Sequence, residues 1–206
     1  MIIRELGMAV VGLLCGSILF GRALPQWIKG IDITKVSPDH NPGTANAMKY
    51  AGVPIGILCL LGDLLKGAIP VYLAVGMGLM TGSLFPLIMA APVLGHAYSL
   101  FYHGKGGKAI AVSFGVLIGL APVWPELLLL LIVLYLSGSA VRIRPHTRRT
   151  RITYICFTVG AALLLTLQRI PLQVFLGALL ISVIVIHKNS VRQELLEETS
   201  ESLESL

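Results

Sequence analysis

Apolar residues gather in seven long runs, at about 5–21, 53–78, 81–101, 107–122, 124–140, 152–168 and 170–187. Almost no amphipathic period is visible within them, as expected of helices that face lipid rather than a water-exposed surface. Several approach the ~20 apolar residues that a helix needs to cross a bilayer. Three of the links between runs are short, "GLMTGS", "APVWP" and "QRIP", and their Gly and Pro suit tight helix–helix turns. The pattern predicts an all-α polytopic integral membrane protein with seven transmembrane helices. A single membrane domain is expected over 1–190, followed by a polar cytoplasmic tail over 191–206 that forms a short, fraying helix.

Composition agrees. Charged residues make up 13% of the chain and the mean hydropathy is +0.84, whereas soluble domains carry about 25% charged residues. The first run could pass for a signal peptide, but it lacks a clean small-residue cleavage site and reads as a retained span. Cys15, Cys59 and Cys156 are far apart in apolar runs. Their spacing suits neither a metal site nor a disulfide framework, so all three are expected to be core packing, with no metal.

The net charge of +6 is explained by topology. Thirteen of the sixteen Lys and Arg fall in the loops after runs one, three and five and in the tail. Arg4 and Arg169 lie on the other side, and Lys66 lies inside a run. Cytoplasmic loops retain Lys and Arg, which places the N-terminus outside and the C-terminus in the cytoplasm. A nucleic-acid partner is not expected, because the basic residues lack aromatic interleaving.

Three polar stretches could carry chemistry. Lys29–Gly52 is long for a connector, and its Asp39, Asn41 and Thr44 are good cap and turn residues. Asp63 and Lys66 share a helix face and are costly in hydrocarbon unless paired, which makes them a structural or gating pair. In "HGKGGKA", Lys105 and Lys108 flank Gly106 and Gly107 before an apolar helix. Free amides at a helix start, close backbone approach and two ammonium groups favour an anion. The spacing is not that of a Walker A loop. His96, nearby, is a candidate base or orienting group. The arginines of "VRIRPHTRRTR" are expected to anchor helix ends on anionic lipid.

Taken in order, the motifs resemble a known family. "GSILFG" (Gly16–Gly21), "KGIDITKV" followed by "NPGTAN", "DLLKGAIPV", "GHAYSLF" with "GKGGKAIA", and "HKNSVRQ" are similar to those of the bacterial acyl-phosphate:glycerol-3-phosphate acyltransferases, the small membrane enzymes of the PlsY type. The resemblance implies transfer of an acyl group from acyl phosphate to the sn-1 hydroxyl of glycerol 3-phosphate, giving lysophosphatidate, at the cytoplasmic side of a bacterial membrane. It implies seven helices, no cofactor and membrane lipid as surroundings; a monomer suffices. By matched position Lys108 and Lys105 bind phosphate, Gly106 and Gly107 supply amides, and His96 orients or deprotonates the attacking hydroxyl. Lys49 stands where the family has an arginine, Asn41 and Asn46 match its asparagines, and His187 matches a tail histidine.

The chain also departs from the pattern. The family's first loop reads roughly "GSGNxGATN"; here "SPDHNPGTAN" reads as one residue longer, with Ser37 the nearest serine, though displaced, and His40 or Asp39 in the region of the missing one. Ser190 stands for the tail asparagine, and Ser99 replaces a proline. These changes leave two alternatives open: a paralogue with another acceptor, or a non-catalytic protein that binds or transports a phosphorylated metabolite.

Overall fold

The computed structural model describes residues 1–141 and 143–204, and side chains among them up to residue 190. Arg142 lies outside the described residues, as do the side chains of Arg192 and of the acidic residues of the expected tail. Among the described residues the chain is helical and has no strand. The helices are α1 (Ile2–Ser17), α2 (Phe20–Lys29), α3 (Ile33–Val36), α4 (Thr44–Ala51), α5 (Val53–Gly76), α6 (Phe85–Ala97), α7 (Ile110–Leu120), α8 (Pro125–Ala140), α9 (His146–Thr166) and α10 (Leu172–Glu204).

Each of the seven apolar runs coincides with one helix: α1 and α5 through α10. Length separates them. Among the described residues Val53–Gly76, Phe85–Tyr102 and Leu172–Ser190 are long and apolar enough to cross a membrane, and α1 with α2, bent by 43°, is long and apolar enough together as either a broken span or a re-entrant pair. The eleven-residue α7 is about 16 Å long, roughly half of a ~30 Å hydrocarbon core. It falls short of the expected 107–122 because the residues before Ile110 belong to the glycine loop, which ends in the left-handed Ala109. The tail is not a separate helix, since α10 runs on unbroken to Glu204.

Small residues decide which helices touch. Gly67 of α5 lies against the Val112 carbonyl, and Gly115 of α7 against the Leu64 carbonyl. Gly16 of α1 and Gly95 of α6 pack backbone to backbone in the same way. Missing side chains let helices approach closely, the usual means of association where lipid removes the hydrophobic drive. Around these contacts Val71, Phe85, Met89, Val116, Leu127, Phe157 and Ile181 form the main core. Cys59 is buried in a smaller cluster with Ile33, Ala47 and Ala51, as core packing requires. Cys15 is only partly buried and Cys156 is exposed, so the packing role does not extend to Cys156.

One buried carboxylate was not anticipated. Glu5 is fully buried on α1, and its Oε2 accepts the Leu84 N–H at 2.9 Å, just before α6. Gly82 leaves room for the carboxylate. The contact caps one helix with the side chain of another. Glu5→Ala is expected to cost about 1–2 kcal/mol, read as a lower thermal midpoint in detergent, and Glu5→Gln should keep most of that stability.

Candidate active site

A cavity of about 760 Å³ opens among α4, α5, α7, α8 and the start of α9. One end is polar, with Asp39, Asn41, Asn46, Asp63, His96, Lys108 and His146. The rest is apolar, walled by Leu60, Leu64, Phe114, Ile118, Leu128 and Ile132.

Lys108 sits in the loop that enters α7. Three contacts fix that loop. The Gly107 N–H donates to the His96 carbonyl at 3.0 Å. The Lys108 carbonyl accepts from Asn189 Nδ2 on α10 at 3.3 Å. Ala109 turns through the left-handed region, φ 61°, to start the helix. A side chain at Gly106 would collide with the His96 and Ala97 carbonyls. These glycines therefore fasten the loop to the end of α6. The expected anion-binding amide of Gly107 is already spent on His96, which corrects its assignment as a free donor.

From this loop Lys108 Nζ reaches Asp39 Oδ2 at 2.9 Å. Asp39 Oδ1 accepts from Asn46 Nδ2 at 2.7 Å and from the Asn41 N–H at 3.3 Å. Asn46 also donates to the Asn41 carbonyl at 2.9 Å, so the loop and α4 are tied together. Asn41 Oδ1 and Thr44 Oγ1 are buried without a hydrogen-bond partner, and both residues line the cavity.

The deeper end is a buried triad. Lys66 Nζ lies 2.8 Å from Asp63 Oδ1 and 2.8 Å from His96 Nδ1. It also donates to the Ile18 carbonyl, which the bend between α1 and α2 leaves without a helical partner. The Lys66 ammonium beside a carboxylate is a donor only, so Nδ1 accepts and the imidazole proton rests on Nε2. His96 can then orient an oxygen through Nε2–H. In this arrangement its lone pair faces Lys66 rather than a substrate hydroxyl, which favours the orienting role over the base role.

The other expected residues divide plainly. His96, Lys108, Asn41, Asn46 and Asp63 meet at the cavity, and Lys66 stands behind them. Lys49 and Lys105 are exposed and do not line it. Ser37 is buried with its hydroxyl on the Ile33 carbonyl, and His40 Nδ1 lies 2.7 Å from the Thr34 carbonyl, so neither stands in for the missing serine. His40 has φ 47°, the left-handed region that suits glycine. A glycine takes that conformation freely, and with His40 set on the glycine before the family's asparagine the resemblance puts Asp39 at the serine's position. His187 is exposed with its ring 6.5 Å from Tyr98, and the Ser190 hydroxyl donates to the Ile186 carbonyl. Asn189, one residue earlier, is the asparagine that touches the lysine loop.

Asp39, Thr44, Tyr135, His146 and Asn189 were missed as site residues. His146 lay unmarked within the arginine cluster. Partial burial at the cavity rim, together with Arg149 and Lys108, pushes its imidazole down to about 4, against the opposing pull of Asp39.

The chain is similar to known proteins. The family model described as glycerol-3-phosphate acyltransferase matches residues 6–197. A glycerol-3-phosphate acyltransferase of Shewanella woodyi is 40% identical over 126 residues, covering 61% of this chain and 60% of that protein. One from Thermotoga petrophila is 40% identical over 116 residues, 56% of this chain and 57% of that one. These alignments thus span less than two thirds of the relatives' length. The crystal structure of PlsY, an integral membrane glycerol 3-phosphate acyltransferase, in its glycerol 3-phosphate form superposes with a TM-score of 0.79 at 27% identity, covering 95% of this chain and 93% of that one. Its lysophosphatidic acid form gives 0.77. With ordered motifs, a shared helical frame and a family match over nearly its whole length, the chain belongs to the glycerol-3-phosphate acyltransferase family.

Proposed function

We propose that this protein transfers an acyl group from acyl phosphate to the sn-1 hydroxyl of glycerol 3-phosphate, giving lysophosphatidate and inorganic phosphate. The observation that carries the reading is one cavity with Lys108 at its polar end and an apolar wall from α5, α7 and α8. A phosphorylated head and a long acyl chain fit such a cavity together.

The chemistry needs little from the protein. An acyl phosphate is a mixed anhydride with a good leaving group, so no covalent enzyme intermediate is required. The hydroxyl oxygen bonds to the acyl carbon, the acyl carbon–oxygen bond to phosphate breaks, and the hydroxyl proton ends on the departing phosphate. The protein supplies orientation and charge stabilisation. Lys108 holds phosphate, with Lys105 and the Gly106 amide at the mouth of the site. His96 Nε2–H, Asn41 and Asn46 orient the reacting oxygens. Lys49, exposed outside the cavity, adds positive charge that draws anions towards the protein.

The chain crosses a bacterial cell membrane seven times, with the N-terminus outside and the site facing the cytoplasm. The excess of Lys and Arg in alternate loops supports this orientation. The short α7 fits it as a helix shielded by its neighbours. The protein purified in detergent, given palmitoyl phosphate and glycerol 3-phosphate, should form lysophosphatidate and phosphate in equal amounts. Palmitoyl-CoA should not replace the donor. Product no higher than in protein-free micelles would overturn the reading.

A further inference from the structure

Asp39 has no role in the resemblance, yet it holds the main cation of the site. A serine there could donate a hydrogen bond to a phosphate oxygen, whereas an ionised carboxylate can only accept. Next to a fully ionised phosphate, Asp39 would repel it and compete with it for Lys108. Next to a phosphate that keeps one proton, the same oxygen accepts the P–O–H and the repulsion becomes a charge-assisted hydrogen bond.

We propose that Asp39 is a specificity-determining residue that makes the anion site at Lys108 prefer a singly ionised phosphate monoester to a doubly ionised one. The proposal deepens the reading of Lys108 as the phosphate cation and rests on it. Three observations carry it. Asp39 and Lys108 lie 2.9 Å apart inside the cavity. Asn46 and the Asn41 N–H hold the carboxylate in place. Asn41 and Thr44 line the same cavity, each with a buried side-chain oxygen that lacks a hydrogen-bond partner.

The groups around Asp39 allow a test by pH. Lys108 faces it from the loop before α7, His146 from α9, and Asn41 and Asn46 from its own loop and α4. Asp63 and His96 lie further along the same cavity. The imidazole of His146, pushed down to about 4, stays neutral above pH 5. A phosphate monoester has its second pKa near 6, so it is largely singly ionised at pH 5 and doubly ionised at pH 7.5, about a unit or more to either side.

Methyl phosphate serves as the probe, titrated calorimetrically into the detergent-purified protein. The wild type should bind it about fivefold more tightly at pH 5 than at pH 7.5. Asp39→Ser and Asp39→Asn, which both donate hydrogen bonds, should reverse that order and gain about tenfold in affinity at pH 7.5. The remaining cavity groups are common to all three proteins, so the comparison isolates Asp39. Equal pH ratios in wild type and variants, tighter wild-type binding at pH 7.5, or no binding at either pH would each overturn the proposal. If neither variant elutes as a folded monodisperse species, the wild-type ratio alone decides. Lys108→Ala separates the two levels. Unchanged binding in that variant sinks the phosphate reading of Lys108, whereas lost binding with no wild-type pH preference sinks only the charge selection.

Discussion

Lys108→Ala should lower kcat/KM for lysophosphatidate formation by about 10²–10³, the range typical of losing one preorganised group that meets developing charge. The side chain is placed rather than tethered. Asn189 holds its carbonyl, the Gly107 N–H pins the preceding residue to α6, and Ala109 turns the chain into α7. No other lysine lines the polar end of the cavity among the described residues, because Lys49 and Lys105 lie outside it. Two effects add. The phosphate loses its cation, and the Asp39 carboxylate then faces the incoming anion without that ammonium between them. The second effect can be isolated. Lys108→Ala combined with Asp39→Asn should recover about tenfold of the loss, because the repulsion goes although the cation stays absent. Lys108→Arg should restore only part of the rate, since a planar fork does not replace a point charge on the same stem. Steady-state assays with palmitoyl phosphate and glycerol 3-phosphate check all three. Near wild-type activity in Lys108→Ala would remove this lysine from the chemistry.

The helices were legible because hydropathy is a local property. Each apolar run became one helix, and the helical spacing of Asp63 and Lys66 correctly placed both on one face. The polar stretch after α1 was harder. It holds α2, α3 and α4, of which α3 and α4 are too short for periodicity to reveal. Phe20, Leu24, Trp27 and Ile28 fall at helical spacing on α2, but Trp27 is 84% exposed, so this stripe does not mark a core face. Contacts between distant segments were not legible at all. Asp39 meets Lys108 across 69 positions, and Glu5 meets Leu84 across 79. Nothing in either local sequence marks its partner. The loop register illustrates the limit most clearly. Counting residues suggested an insertion and left Ser37, His40 and Asp39 all near the missing serine. The left-handed backbone at His40 suits a glycine position, and in that register the resemblance sets Asp39 opposite the serine. The lysine–glycine loop does bring Lys108 to the cavity, but its glycines pack closely on His96.

Lys66→Met and Asp63→Asn should each lose most of the activity and about 3–5 kcal/mol of stability, the cost of breaking a buried ion pair from one side. Both side chains are almost fully buried, with Asp63 at 1% and Lys66 at 5% exposure. Removing Lys66 leaves a carboxylate in a low-dielectric interior, frees the Ile18 carbonyl at the bend, and takes the donor from His96 Nδ1. Removing the Asp63 charge leaves an ammonium that has only neutral acceptors. Combining Asp63→Asn with Lys66→Met should restore about 2 kcal/mol or more relative to either single change, because no uncompensated charge remains and a neutral interior tolerates such replacement well. Activity should not return with stability. The Lys66 ammonium is what keeps the imidazole proton on Nε2, where it can orient the acceptor, and the neutral pair cannot set that tautomer. Thermal denaturation and turnover, measured on the same detergent preparations, therefore have to diverge in the double variant. Should activity recover together with the thermal midpoint, the triad is structural alone and His96 needs no partner to act. Should neither recover, Lys66 holds the fold through the Ile18 carbonyl, and the bend between α1 and α2 rather than the charge pair is the feature that the site depends on.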